Sequence, residues 1–152
     1  MRKLLIAAIL CAASLCAGAQ NSNKKFNKAL ADSLGADEYG MKMYVLVILK
    51  TGNSTITDKS KIDSLFKGHM QNIGRLADQG KLVVAGPMKK NDKNYRGIFI
   101  LNVKTIAEAN ALLETDPAVK AKLLDAETYE WYGSAALPLY LKHHDEVKAK
   151  DF

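Results

Sequence analysis

The chain has 152 residues, 48% of them hydrophobic and 25% charged, with 10 glycines and 3 prolines. That balance belongs to one folded domain and excludes the disordered, collagen-like and disulfide-dense classes. The formal net charge of +6 is carried by lysines spread along the chain, which is the pattern of a solvated surface rather than a nucleic-acid stripe.

At the N-terminus, Arg2 and Lys3 precede an apolar run over residues 4–15, and Ala17-Gly18-Ala19 follows. This reads as a secretory signal peptide over residues 1–19, cleaved to leave a secreted or periplasmic protein. The run is too short for a transmembrane helix, which needs roughly 20 apolar residues, so no membrane partner is expected once the signal is removed. Cleavage after Ala19 would remove both cysteines, Cys11 and Cys16, and leave 20 basic against 16 acidic residues. Leu10 and Leu15 stand where a lipoprotein signal needs small residues before its cysteine, so a lipid anchor is not expected. Residues 20–42 form a polar leader in which Phe26, Ala29, Leu30 and Leu34 can make one weak amphipathic turn or two.

The domain expected over residues 43–133 opens on Tyr44-Val45-Leu46-Val47-Ile48-Leu49, a buried-strand run stopped by Thr51-Gly52-Asn53. Ser60 and Asp63 have capping-box spacing ahead of a helix in which Ile62, Leu65, Phe66, Ile73, Leu76 and Ala77 recur until Gly80. Residues 81–85 predict a short strand closed by a Gly86-Pro87 turn, and residues 95–103 predict its hairpin partner. Thr105 and Glu108 form a second capping box, opening a helix with Ile106, Ala109, Leu112 and Leu113. After a Thr115-Asp116-Pro117 break come a helical turn over residues 118–124 and a last strand over 125–132.

The order β-α-β-β-α-β predicts an α+β, ferredoxin-like fold, one four-stranded antiparallel sheet with two helices on one face. Val45, Val47 and Leu49 alternate with Tyr44, Leu46 and Ile48, and Phe99 and Leu101 alternate with Ile98 and Ile100, so both faces are apolar. Two helices bury one face only. The other calls for a cover, expected to be a second copy in a homodimer, with the C-terminal extension over residues 134–152 contributing or swapping across.

His69 follows Phe66 by three, Leu65 by four and Ile62 by seven, which puts it on the sheet-facing stripe of the first helix. A half-buried imidazole needs a hydrogen-bond partner, either a backbone carbonyl or a carboxylate that fixes its tautomer. Asp116 is the candidate carboxylate. Before Pro117 it also has the sequence of an N-cap, and one carboxylate can serve both roles. Gly86-Pro87, Arg96 and Trp131 have plain structural readings as a turn, a solvated strand end and a core or interface aromatic. His143-His144-Asp145 lacks a second ligand cluster, so no metal is expected. The Arg96-Gly97-Ile98-Phe99-Ile100 segment is no RNA-binding strand, because Ile98 and Ile100 stand where stacking aromatics are required.

His69, Gly80-Lys81-Leu82-Val83-Val84-Ala85-Gly86-Pro87, Arg96-Gly97, Asp116-Pro117-Ala118-Val119 and Trp131 together resemble, in order and spacing, the YciI-like (YCII-related) proteins. The resemblance covers about residues 43–132. It implies a dimeric α/β-barrel-like assembly of ferredoxin-like chains, with a pocket whose His and Asp act as general acid and base, here His69 and Asp116. Enzymes near this family include a dehydrochlorinase of a chlorinated hydroxyhydroquinone, and muconolactone isomerases share a related fold. The family often has a glycine a few residues after Asp-Pro; Lys122 stands here instead, and would narrow the pocket or favour an anionic ligand.

The expected function is therefore proton transfer, elimination or isomerisation of a small, aromatic or carboxylated compound by a metal-free lyase, isomerase or hydrolase without a cofactor. Arg96, Gly86, Pro87, Trp131 and Lys122 are the expected substrate-binding residues around the His69–Asp116 dyad. The alternative is a non-catalytic ligand-binding or assembly module in which the two residues merely satisfy one another.

Overall fold

The structure, a computed structural model, describes residues 23–150; the expected signal peptide lies outside the described residues. Contacts divide the chain after Leu30, and the sheet and its helices belong to the unit that begins at Ala31. A short helix, α1 (Lys28–Leu34), crosses the division and buries none of its residues. The unit then runs β1 (Met41–Thr51), α2 (Lys59–Asp78), β2 (Leu82–Pro87), β3 (Tyr95–Leu101), α3 (Ile106–Leu113), α4 (Pro117–Lys120) and β4 (Leu124–Ser134). The sheet order is β2-β3-β1-β4 with antiparallel pairing throughout, the ferredoxin-like arrangement.

The β-branched run of β1 takes the central place, paired over its full length with β4, from Met41 opposite Ser134 to Thr51 opposite Leu124. Its helix-side residues Val45, Val47 and Leu49 meet Phe99, Leu101, Leu82 and Leu124 from the other strands. Leu76, Ala109, Leu113, Ala118 and Val119 close this core from the helices. The helix ends follow capping chemistry. At α3 the Thr105–Glu108 box forms as expected. At α2 the cap is not Ser60 but Asp58, whose carboxylate accepts the backbone N–H of Ser60 and Lys61. The carboxylate two residues before Ser60 takes the role expected of its hydroxyl, and Asp63 instead pairs with Lys59 across one turn.

Leu46, Ile48, Ile98 and Ile100 share the opposite face and remain half-buried. The chain's own tail covers one end of it. Tyr44 is fully buried there, its hydroxyl donating to the Ser134 carbonyl at 2.9 Å, and Trp131 packs beside it with ring centroids 5.7 Å apart. Beyond Ser134, Ala135 is buried, and a 3-10 helix (Leu137–His143) brings the Tyr140 hydroxyl to the Val83 carbonyl on β2. Helix α5 (His144–Val147) ends the described elements.

Candidate active site

Asp116 is the N-cap of α4, with Pro117 in its first turn. Its Oδ1 accepts the backbone N–H of Ala118 at 2.9 Å and of Val119 at 3.3 Å. Its Oδ2 lies 2.6 Å from Nδ1 of His69. Capping and pairing therefore coexist, one oxygen for each.

Gly68, which sequence reasoning passed over, lets the two elements meet. A Cβ at that position would stand 2.9 Å from Cγ of Pro117, so only glycine lets α2 close on α4 this tightly. The next residue, His69, is then delivered to the Asp116 carboxylate. Its ring stacks on Phe99 at 6.0 Å and meets the edge of Phe66 at 6.2 Å. Both partners are buried, His69 to 8% exposure and Asp116 to 1%.

Burial pushes the Asp116 carboxyl up, but the hydrogen bond and charge of His69, together with the two backbone N–H groups, hold it below its ordinary value of 3.8. An ionised carboxylate only accepts. The hydrogen in the 2.6 Å contact therefore sits on Nδ1, and Nε2 carries the free lone pair. Among the described residues Nε2 has no hydrogen-bond partner, and no buried side-chain polar atom lacks one, so Nε2 opens to solvent.

Next to β3 on this side of the sheet runs β2. Ala85 pairs with Phe99 and Pro87 with Gly97, and directly opposed residues share a face, so Ala85 and Pro87 lie on the helix side, beside the strand whose Phe99 stacks on His69. Both are exposed. Behind the pair stands a polar cluster that also went unread in the sequence. Asn72 Nδ2 reaches Asp116 Oδ2 at 3.4 Å, and Arg75 Nη2 donates to Asn72 Oδ1 at 2.6 Å and to Thr115 Oγ1 at 2.8 Å. The available signal was that Asn72 follows His69 by three on the same buried stripe.

The other expected residues divide between the two faces and the rim. Pro87 lies on the face of the pair, within β2 rather than in a turn after it, while Gly86 pairs with Ile98 and so belongs to the opposite face. Arg96 is exposed at the β-bulge opposite Leu49 and Lys50, its carbonyl accepting the Met88 N–H at 2.8 Å, which sets it at the rim next to Pro87 and Gly97. Trp131 is opposed to Tyr44 on the sheet face away from His69. Lys122 adopts a left-handed φ of 58° and lines a shallow depression of about 290 Å³ with Thr51, Gly52, Asn53 and Asp125, and another with α3 and β4 residues. Neither depression includes His69 or Asp116. His143 pairs with Glu146 at 2.8 Å, and no group of three or more His, Cys, Asp or Glu suited to a metal occurs among the described residues.

The YCII-related domain family matches residues 43–132 of the chain. No curated protein matches it in sequence. Among solved structures it is similar to 5-chloro-2-hydroxyhydroquinone dehydrochlorinase from Burkholderia phenoliruptrix AC1100, in complex with 2,5-dihydroxybenzoquinone. The identity is 22% and the TM-score 0.41, and the alignment covers 57% of this chain and 92% of that one.

Proposed function

The chain belongs to the YCII-related domain family, and from that premise we propose that it is a small-molecule enzyme working by general acid–base catalysis at His69. One observation carries this reading: the Nδ1 of His69 is engaged by a buried, ionised Asp116, while Nε2 opens to solvent with no hydrogen-bond partner among the described residues. A lone pair so oriented can take a proton from a substrate carbon or hydroxyl and return it at a neighbouring atom. Asp116 stabilises the imidazolium formed in between. Ala85 and Pro87 form the floor, and Arg96 at the rim offers a cation to a carboxylate or phenolate on the substrate. Proton transfer, elimination and isomerisation all use this one step. The reading includes export by residues 1–19 and a homodimer through Leu46, Ile48, Ile98 and Ile100.

The test is deuterium incorporation from D2O into a panel of small phenols, lactones and keto acids, followed by NMR. At least one compound is expected to exchange, with the rate falling about 10²–10⁴-fold in His69→Gln. Equal rates in the two proteins, or binding without exchange across the panel, would favour a ligand-binding module.

A further inference from the structure

The buried stripe of α2 carries one polar side chain that the proton transfer itself does not use, Asn72, 7% exposed and three residues after His69. Its amide group lies between groups of opposite demand. The Asp116 Oδ2 on one side accepts hydrogen bonds only, and the Arg75 guanidinium on the other donates only. Arg75 Nη2 also donates to the Thr115 hydroxyl, whose oxygen lies 2.6 Å from the Leu112 carbonyl as donor, so the end of α3 holds the guanidinium in place. Resting on the proposed role of His69 and Asp116, we infer that Arg75 is a positioning residue for the dyad, acting from the protein surface through Asn72.

The physical step is the orientation of one amide. Oδ1 of Asn72 is held by Arg75 at 2.6 Å, while the Thr115 hydroxyl lies farther from it, at 3.1 Å, and is nearer the Leu112 carbonyl at 2.6 Å, so Nδ2 must face Asp116. The carboxylate then receives four donors, from Ala118, Val119, His69 and Asn72. A flipped amide would set an oxygen against the carboxylate and free Oδ2 to turn away from His69. Arg75 thus locks the acceptor that holds Nδ1, and with it the direction of Nε2.

The experiment reads the His69 Nδ1–H resonance in the whole protein, without substrate. Arg75→Ala is expected to speed its exchange with water about tenfold, the factor that accompanies loss of one ordinary hydrogen bond's stabilisation. Arg75→Lys restores part of the protection. In an Asn72→Leu background, with Asn72→Ser as the substitute if that protein does not fold, Arg75→Ala changes nothing further. Gln79→Ala removes a further contact of Arg75, 3.1 Å from Nη1, and leaves the resonance as it was. An unchanged exchange rate in Arg75→Ala, or the same acceleration with and without Asn72, would overturn the inference. Because no substrate is involved, that result would leave proton transfer at His69 standing, and a failed deuterium assay would leave the coupling standing.

Discussion

On the helix side of the sheet, Val45, Val47, Leu49, Phe99 and Leu101 are shut in by α2, α3 and α4. Leu46, Ile48, Ile98 and Ile100 alternate with them on the same two strands and stay partly exposed. The closed side can hold a histidine and a carboxylate because, among the described residues, every buried side-chain polar atom is paired. The open side carries apolar side chains with only its Tyr44 and Val83 end covered by the tail, so it is suited to contact rather than chemistry. In the proposed function, one sheet thus separates the face that reacts from the face that associates by the alternation of side chains along a strand.

The largest effect should come from Phe99, which supports both the core and the His69 ring. Phe99→Ala is expected to cost about 3–5 kcal/mol in urea unfolding. Its neighbour Ile98, on the open face, is only half-buried, and Ile98→Ala in the monomer is expected to cost about 1 kcal/mol. Equal costs would break the distinction between the faces. Ile98→Asp sharpens it in another way: the protein should remain folded by circular dichroism while any dimer seen by light scattering dissociates.

Gly68→Ala tests how the closed side is drawn together. Alanine in a helix interior normally gains about 0.5–1 kcal/mol over glycine. Here the methyl would press on Pro117, and overpacking costs about 1–3 kcal/mol, so a net loss of about 1 kcal/mol is expected in thermal unfolding. A net gain would mean that the α2–α4 approach is slack.

A smaller effect, visible only in acid, belongs to Asp116. Its carboxyl is held below 3.8 in the fold, so the stability it contributes is complete above about pH 3.8 and is lost as the pH falls through the lower folded value. Asparagine caps a helix as well as aspartate does, so Asp116→Asn removes chiefly the charge. The variant's stability should vary less with pH over that acid window, and identical acid-unfolding curves would contradict the pairing. Smallest of all, Lys122→Gly should raise stability by about 0.5 kcal/mol, because relief of a left-handed conformation is partly offset by the greater backbone freedom that glycine loses on folding. Loss of stability instead would show that the lysine side chain does more there than tolerate its backbone.

The fold was legible because its signals are periodic and local. Alternation along β1 and β3 and the Thr105–Glu108 box are properties of neighbouring residues, and the structure repeats them. The extent of the strands was less so: β1 and β4 run from Met41 and to Ser134 because each completes the other's hydrogen bonds, which no single segment reveals. In the site, the position of His69 on a helical stripe pointed to the sheet, but the closeness of Asp116 depends on Gly68 and Pro117 fitting together across 49 residues of chain. The departure at Lys122 was visible, whereas its meaning was conformational: the position takes a positive φ, which glycine adopts freely, and its side chain lines a depression apart from the dyad. For Trp131 the sequence left two readings, interface aromatic and substrate contact, because only strand register sets it opposite Tyr44 on the face away from His69.

The most direct test of acid–base chemistry at this site is the tautomer of His69, read from the nitrogen-15 shifts of its ring in the folded protein at a pH where the imidazole is neutral. The 2.6 Å contact with an ionised Asp116 predicts a hydrogen on Nδ1 and a free lone pair on Nε2, ready to accept a proton. A hydrogen found on Nε2 would leave that atom unable to act as the base and would contradict the mechanism at its first step.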